Sequence, residues 1–119
     1  MGRPVMQWQI LAKDPNRLAG FYGDLFSWKV SADNPLNYRM VDTGSPQGIS
    51  GGIWPAGPEG HSFVQLFVDV DDVDRYVARV VELGGATLFP RQVLPGGDEM
   101  AIVRDPEGIP FGLFKTARR

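Results

Sequence analysis

A chain of 119 residues with 43% hydrophobic and 22% charged content is sized for one compact domain, which excludes a disordered tail and a membrane span. A formal net charge of −2 without a basic stripe excludes nucleic acid as a partner, and zero cysteines exclude disulfides, thiolate metal sites and cysteine nucleophiles. No apolar run nears the roughly 20 residues of a membrane helix, and no apolar stretch with a cleavage site follows Arg3, so a cytoplasmic protein without signal peptide or membrane contact is expected.

The first strand is predicted over Val5 to Leu11, where apolar and polar residues alternate. Asp14-Pro15 follows as a helix cap and first helical residue. Leu18, Phe21, Tyr22, Leu25 and Phe26 then recur at helical spacing and form the stripe expected to pack on a sheet. Three short strands are predicted around Trp28 to Ser31, Tyr38 to Asp42 and Ile49 to Trp54, broken at Asn34-Pro35 and between Gly44 and Gly48.

The second half repeats this order. A strand is predicted over Ser62 to Val70, followed by a helix capped by Asp71 or Asp72, with Val73, Tyr76, Val77, Val80 and Leu83 on its apolar face and Gly84-Gly85 at its end. Further strands fit Ala86 to Phe89, Asp98 to Arg104 and Ile109 to Lys115, with turns at Pro90, Pro95-Gly96-Gly97 and Asp105-Pro106-Glu107-Gly108. Gln7, Asp14, Arg17 and Leu25 fall on Gln65, Asp72, Arg75 and Leu83, and GISGGIW (Gly48 to Trp54) falls on GIPFGLF (Gly108 to Phe114). The chain reads as a single domain over 1–119 written twice: an α+β fold of two βαβββ modules in tandem, about 1–56 and 57–119, with cupped mixed sheets and helices on the outside.

Three stretches, DPNRLAGFYGDLFSW (Asp14 to Trp28), VDVDDVDRYVARVVELGG (Val68 to Gly85) and RDPEGIPFGL (Arg104 to Leu113), carry a resemblance to the vicinal oxygen chelate superfamily of glyoxalase I, bleomycin-resistance proteins, fosfomycin-resistance proteins and extradiol dioxygenases. In metal-dependent members the resemblance implies four ligands, His or Gln on the first strand of each module and Glu on the last. Counted onto this sequence, those places are Gln7, Gln65, Gly52 and Gly112. Two neutral amides and two residues without side chains do not make a site for a divalent transition metal, which takes imidazole, carboxylate or thiolate. No metal and no cofactor are expected, and the glyoxalase-type proton shuttle is missing with the last-strand Glu. The resemblance also implies a homodimer.

His61, the only histidine, reads as a loop or surface residue, and Asp105 to Gly108 and Gly96 to Glu99 read as turns. Strand alternation places Gln7, Gln9, Ser50, Gly52 and Trp54 of the first module on one face, and Phe63, Gln65, Phe67, Gly112 and Phe114 of the second likewise. Met6, Trp8, Ile10, Val64, Leu66 and Val68 are expected beneath the helices, and Gly52 and Gly112 are expected to leave room at the centre. Aromatic walls around neutral amides suit a small, partly aromatic ligand. Binding without metal is therefore the leading expectation, and the chain leans away from being an enzyme. A metal-dependent lyase, isomerase or dioxygenase using Gln7, Gln65, His61 or Glu59 is the alternative, with an accessory interaction module as the third.

Overall fold

The computed structural model describes residues 2–34, 38–56 and 60–117; Pro35, Glu59 and the Arg118-Arg119 tail lie outside these. In chain order the elements are β1 (Val5–Ala12), α1 (Pro15–Phe26), β2 (Lys29–Ser31), β3 (Arg39–Asp42), β4 (Gly51–Pro55), β5 (Phe63–Asp69), α2 (Val73–Glu82), β6 (Ala86–Val93), β7 (Glu99–Arg104) and β8 (Pro110–Lys115). The order βαβββ occurs twice, as the sequence repeat predicts. In space the chain divides into two compact units, residues 7–65 and residues 66–119 together with 1–6.

Residues 7–65 carry strands in the order β2-β3-β4-β1, with β1 parallel to β4 and the other pairs antiparallel. Asp14 caps α1 by accepting from the Arg17 amide at 3.1 Å, and Pro15 opens the helix. The helix stops where Ser27 turns into the left-handed region at φ 61°, its amide donating to the Gly23 carbonyl at 2.9 Å. Ala12, Val41 and Ile53 are buried beneath α1, with Trp8, Ile10, Leu18, Tyr22, Trp28 and Val30 packed against them. Trp28 gathers Trp8, Tyr22 and Phe26 at ring centroids of 5.3, 5.7 and 5.0 Å. Arg39 of β3 reaches Asn16 at the start of α1 through Nε at 2.9 Å, tying strand to helix.

The predicted stripe of α1 is only half used. Leu18 and Tyr22 pack inward, but Phe21, Leu25 and Phe26 are 56, 58 and 52% exposed, because a sheet of short strands meets one edge of the stripe and leaves the other uncovered. Val64 and Leu66 of β5 are also exposed rather than beneath a helix.

In the other unit the order is β5-β8-β7-β6, with β5 parallel to β8. Of the two candidate caps, Asp72 is the one whose side chain accepts from the Arg75 amide, at 3.1 Å. Asp71 instead pairs with the Arg75 guanidinium at 2.9 Å. The core is Val70, Val73, Ala101, Val103 and Leu113, with Val68, Tyr76, Val77 and Val80 around it; Leu83, at the cap, is exposed. Full burial of side chains of this size contributes about 1.5–3 kcal/mol each.

The turns follow the sequence. Asp105 binds the amides of Glu107 and Ile109 through Oδ1 at 2.9 and 3.0 Å, and Gly108 takes φ 89°. Gly96 and Gly97 carry the hairpin between β6 and β7 at φ 94° and 97°. Pro90 is the exception: β6 continues through it instead of turning. This strand lies at the sheet margin, and its register shifts between Phe89 and Gln92, so no ladder bond needs the missing proline N–H.

Candidate ligand-binding site

In each unit, one face of its four strands carries the helix; the other carries the residues singled out from the sequence. In residues 7–65, β1 and β4 pair Gln9 with Gly52 and Leu11 with Trp54. Met40 of β3 pairs with Gly52 from the other side. Gln7 stands one alternation before Gln9, and half-buried Ser50 precedes the paired stretch of β4, its Oγ accepting from the Thr43 amide at 3.3 Å. In the other unit, Phe67 pairs with Gly112 and Asp69 with Phe114. Counting from the acidic caps indicated Gln7 and Gln65, but the strand register sets Gln9 and Phe67 directly across from the two glycines. Gln65 is buried at 5% exposure, and Phe63 is exposed at 37%.

The glycines do not leave the centre open. The Tyr38 phenol lies over Gly52, where an added Cβ would collide with its hydroxyl and ring. The Phe67 ring lies over Gly112 in the same way, and Phe114 meets it edge-on at 6.2 Å. Each unit fills the space above its last-strand glycine with an aromatic ring of its own. Phe67 is 2% exposed and is core.

Tyr38 is the residue that sequence reasoning missed. It precedes β3, and its backbone is clamped by Asn34, which accepts from the Tyr38 amide at 2.9 Å and donates to its carbonyl at 2.6 Å. The ring stands 5.7 Å from Trp54, tilted by 46°. Its hydroxyl is buried and has no hydrogen-bond partner among the described residues. Burial pushes its pKa from 10.0 up to about 12; the neighbouring Gln9 amide pulls slightly downward, without the geometry of a hydrogen bond. A strand-alternation signal was available, since residues 38, 40 and 42 share a face, but nothing local says that the ring at 38 folds over the glycine at 52.

The folded protein therefore keeps the Tyr38 proton above pH 10, where the unfolded chain releases it. The associated stability is complete below pH 10 and is lost as pH rises through about 12. Tyr38→Phe should flatten that alkaline decline and remove one late-titrating phenol from the absorbance near 295 nm. Because the hydroxyl is unsatisfied, the same variant should melt no lower than the wild type at neutral pH. Denaturant unfolding followed from pH 7 to 12 checks both.

Elsewhere in residues 7–65, Lys13, Asp14, Arg17, Leu18, Phe21 and Ser62 border a groove of about 370 Å³ at the start of α1, away from the Gln9–Gly52 face. His61 is exposed. No group of three or more His, Cys, Asp or Glu placed to hold a metal occurs among the described residues.

The sequence profile of the glyoxalase-like domain matches residues 7–114. The chain belongs to the glyoxalase-like domain family. It is 30% identical over 112 residues to CFP32, a protein of Mycobacterium tuberculosis and Mycobacterium bovis named provisionally as a glyoxylase. That match covers 88% of this chain and 42% of the relative, so the chain spans less than half the length of the curated relatives it matches. Among solved structures it resembles methylmalonyl-CoA epimerase from Mycobacterium tuberculosis, with a TM-score of 0.69 and 13% identity over 95% of this chain and 87% of that one. It also resembles a glyoxalase/bleomycin resistance protein/dioxygenase superfamily member from Vibrio splendidus, with a TM-score of 0.63 and 16% identity over 96% of this chain and 99% of that one. The vicinal oxygen chelate resemblance and the α+β class are thus borne out.

This glyoxalase-like domain can be tested against the metal that the superfamily implies. A divalent transition ion takes imidazole, carboxylate or thiolate donors. Here the last-strand places are glycines beneath aromatic rings, and their cross-strand neighbours are an amide and a phenyl group. These residues do not fit such an ion.

Proposed function

We propose that this glyoxalase-like domain binds a small, partly aromatic molecule without a metal, and that residues 7–65 supply its recognition face. The observation that carries the reading is the Tyr38 ring over Gly52, beside Gln9 and Trp54. At the place where the superfamily's metal enzymes put a carboxylate, this chain offers aromatic surface, a neutral amide and a neutral hydroxyl. Such a set provides apolar area for affinity and uncharged hydrogen bonds for orientation. Gln7, Ser50, Phe63 and Gln65 remain candidates within residues 7–65, while Phe67, Gly112 and Phe114 remain candidates of the other unit by itself, with Phe67 as its ring support.

The test is elemental analysis after incubation with zinc, nickel, manganese and iron and desalting, followed by a thermal-shift screen of aromatic metabolites and antibiotics. Less than one-tenth equivalent of metal per chain and at least one stabilising compound are expected. One tightly held metal per chain would overturn the reading in favour of a metal-dependent lyase, isomerase or dioxygenase. A homodimer is part of the same proposal, supported by the uncovered Phe21, Leu25 and Phe26 of α1. Sedimentation of the desalted sample should give twice the chain mass, and a monomer at all concentrations would remove that part.

A further inference from the structure

We propose that the Tyr38 hydroxyl is the selecting group of this site, donating a hydrogen bond to a carbonyl-type oxygen on an uncharged, planar ligand lying against Trp54. The inference rests on the binding reading above and names the class of molecule for it. A buried hydroxyl without a partner costs roughly 1–3 kcal/mol relative to a satisfied one, and native proteins rarely keep such a group unused. Here the position is fixed twice over: Asn34 holds both backbone groups of Tyr38, and the bare Cα of Gly52 seats the ring. A phenylalanine would fill the same space without the unsatisfied oxygen, so packing alone does not explain the tyrosine. The buried Gln9 side chain is the neighbour of the hydroxyl, a flexible amide rather than fixed backbone.

The ligand's charge follows from the rest of the face. Gln7, Gln9, Leu11, Met40, Ser50 and Trp54 are uncharged. By strand alternation Lys29 and Asp42 share this face, but they are cross-strand partners of opposite sign, and Asp42 also accepts from the Gly44 amide at 2.8 Å. Neither a cation nor an anion finds a net counter-charge there. A protonated phenol offers a donor, so the complementary atom is an acceptor, and the lack of a net counter-charge on this face makes it a neutral one. Trp54, half-buried and paired with Leu11 across the ladder, supplies the flat apolar wall.

Three probes of similar size separate the possibilities: coumarin, planar with a lactone carbonyl; naphthalene, planar without an acceptor; and 2-naphthoate, planar and anionic. Binding is measured by equilibrium dialysis to wild type and Tyr38→Phe, with melting temperatures recorded alongside. The wild type should prefer coumarin over both other probes by about threefold to tenfold, the worth of one neutral hydrogen bond. Tyr38→Phe should bind naphthalene unchanged and lose the coumarin preference. A variant that weakens both probes equally, or keeps the preference, would show that the hydroxyl does not select, while leaving the binding reading intact. A wild type that favours naphthoate would overturn the neutral-ligand assignment. Failure of all three probes to bind at concentrations up to their solubility limits would remove this inference together with the reading beneath it.

Discussion

Phe67→Ala should destabilise the fold by about 3–5 kcal/mol, the range for deleting a buried aromatic side chain. The ring is 2% exposed and stands on Gly112, braced edge-on by Phe114. Removing it leaves a void floored by a glycine, which cannot collapse to fill the gap. Native domains of this size are held by only about 5–15 kcal/mol, so the loss should bring the denaturant midpoint down by about a fifth or more. Phe67→Leu, which keeps part of the volume, should recover at least half of it. A loss below about 1 kcal/mol for the alanine variant would mean that the ring is not core and that the unit tolerates an open centre above Gly112.

Restoring a side chain at residue 52 is the second large effect. Gly52→Ala sets a methyl group where the Tyr38 ring now lies, and overpacking of this kind costs about 1–3 kcal/mol. The diagnostic is a double-mutant cycle with Tyr38→Ala. If the ring is what the methyl group meets, Gly52→Ala should cost much less in the Tyr38→Ala background, with a coupling of at least 1 kcal/mol. Additive effects would mean that the two residues do not share the space. Gly52→Glu, the change that would reinstate the superfamily's carboxylate, faces the same obstacle with a longer side chain. One substitution does not return this chain to the metal-binding pattern.

What the sequence disclosed was local chemistry. Asp14 and Asp72 cap their helices because an aspartate three residues before a free amide satisfies it wherever the chain goes afterwards. The Asp105 turn and the Gly96-Gly97 hairpin are equally self-contained. The repeat, with the glycines standing where metal ligands would be, was legible because it depends on residue identity at matched positions. The misses came from non-local geometry. Which first-strand residue pairs with Gly52 is decided by the β1–β4 register, which sets Gln9 there, two residues beyond the place counted from the acidic cap. That Tyr38 fills the centre depends on a loop held by Asn34 and on the bare Cα of Gly52, fourteen residues further on. Helical periodicity marked Phe21, Leu25 and Phe26 as apolar, but how much of that stripe is covered depends on the strands beneath it.

The passage of β6 through Pro90 has a consequence for the protein in a crowded solution. An eight-residue strand at a sheet margin is a template on which another extended chain could add itself. Pro90 removes one donor from that margin, and the irregular register between Phe89 and Gln92 bends the rest out of line. Arg91, held by Asp74 at 3.0 Å and Glu99 at 3.4 Å, stations a charged cluster beside the same stretch. A proline that looks from the sequence like the end of a strand thus serves as a guard along its length, keeping the unit from recruiting strangers into its sheet.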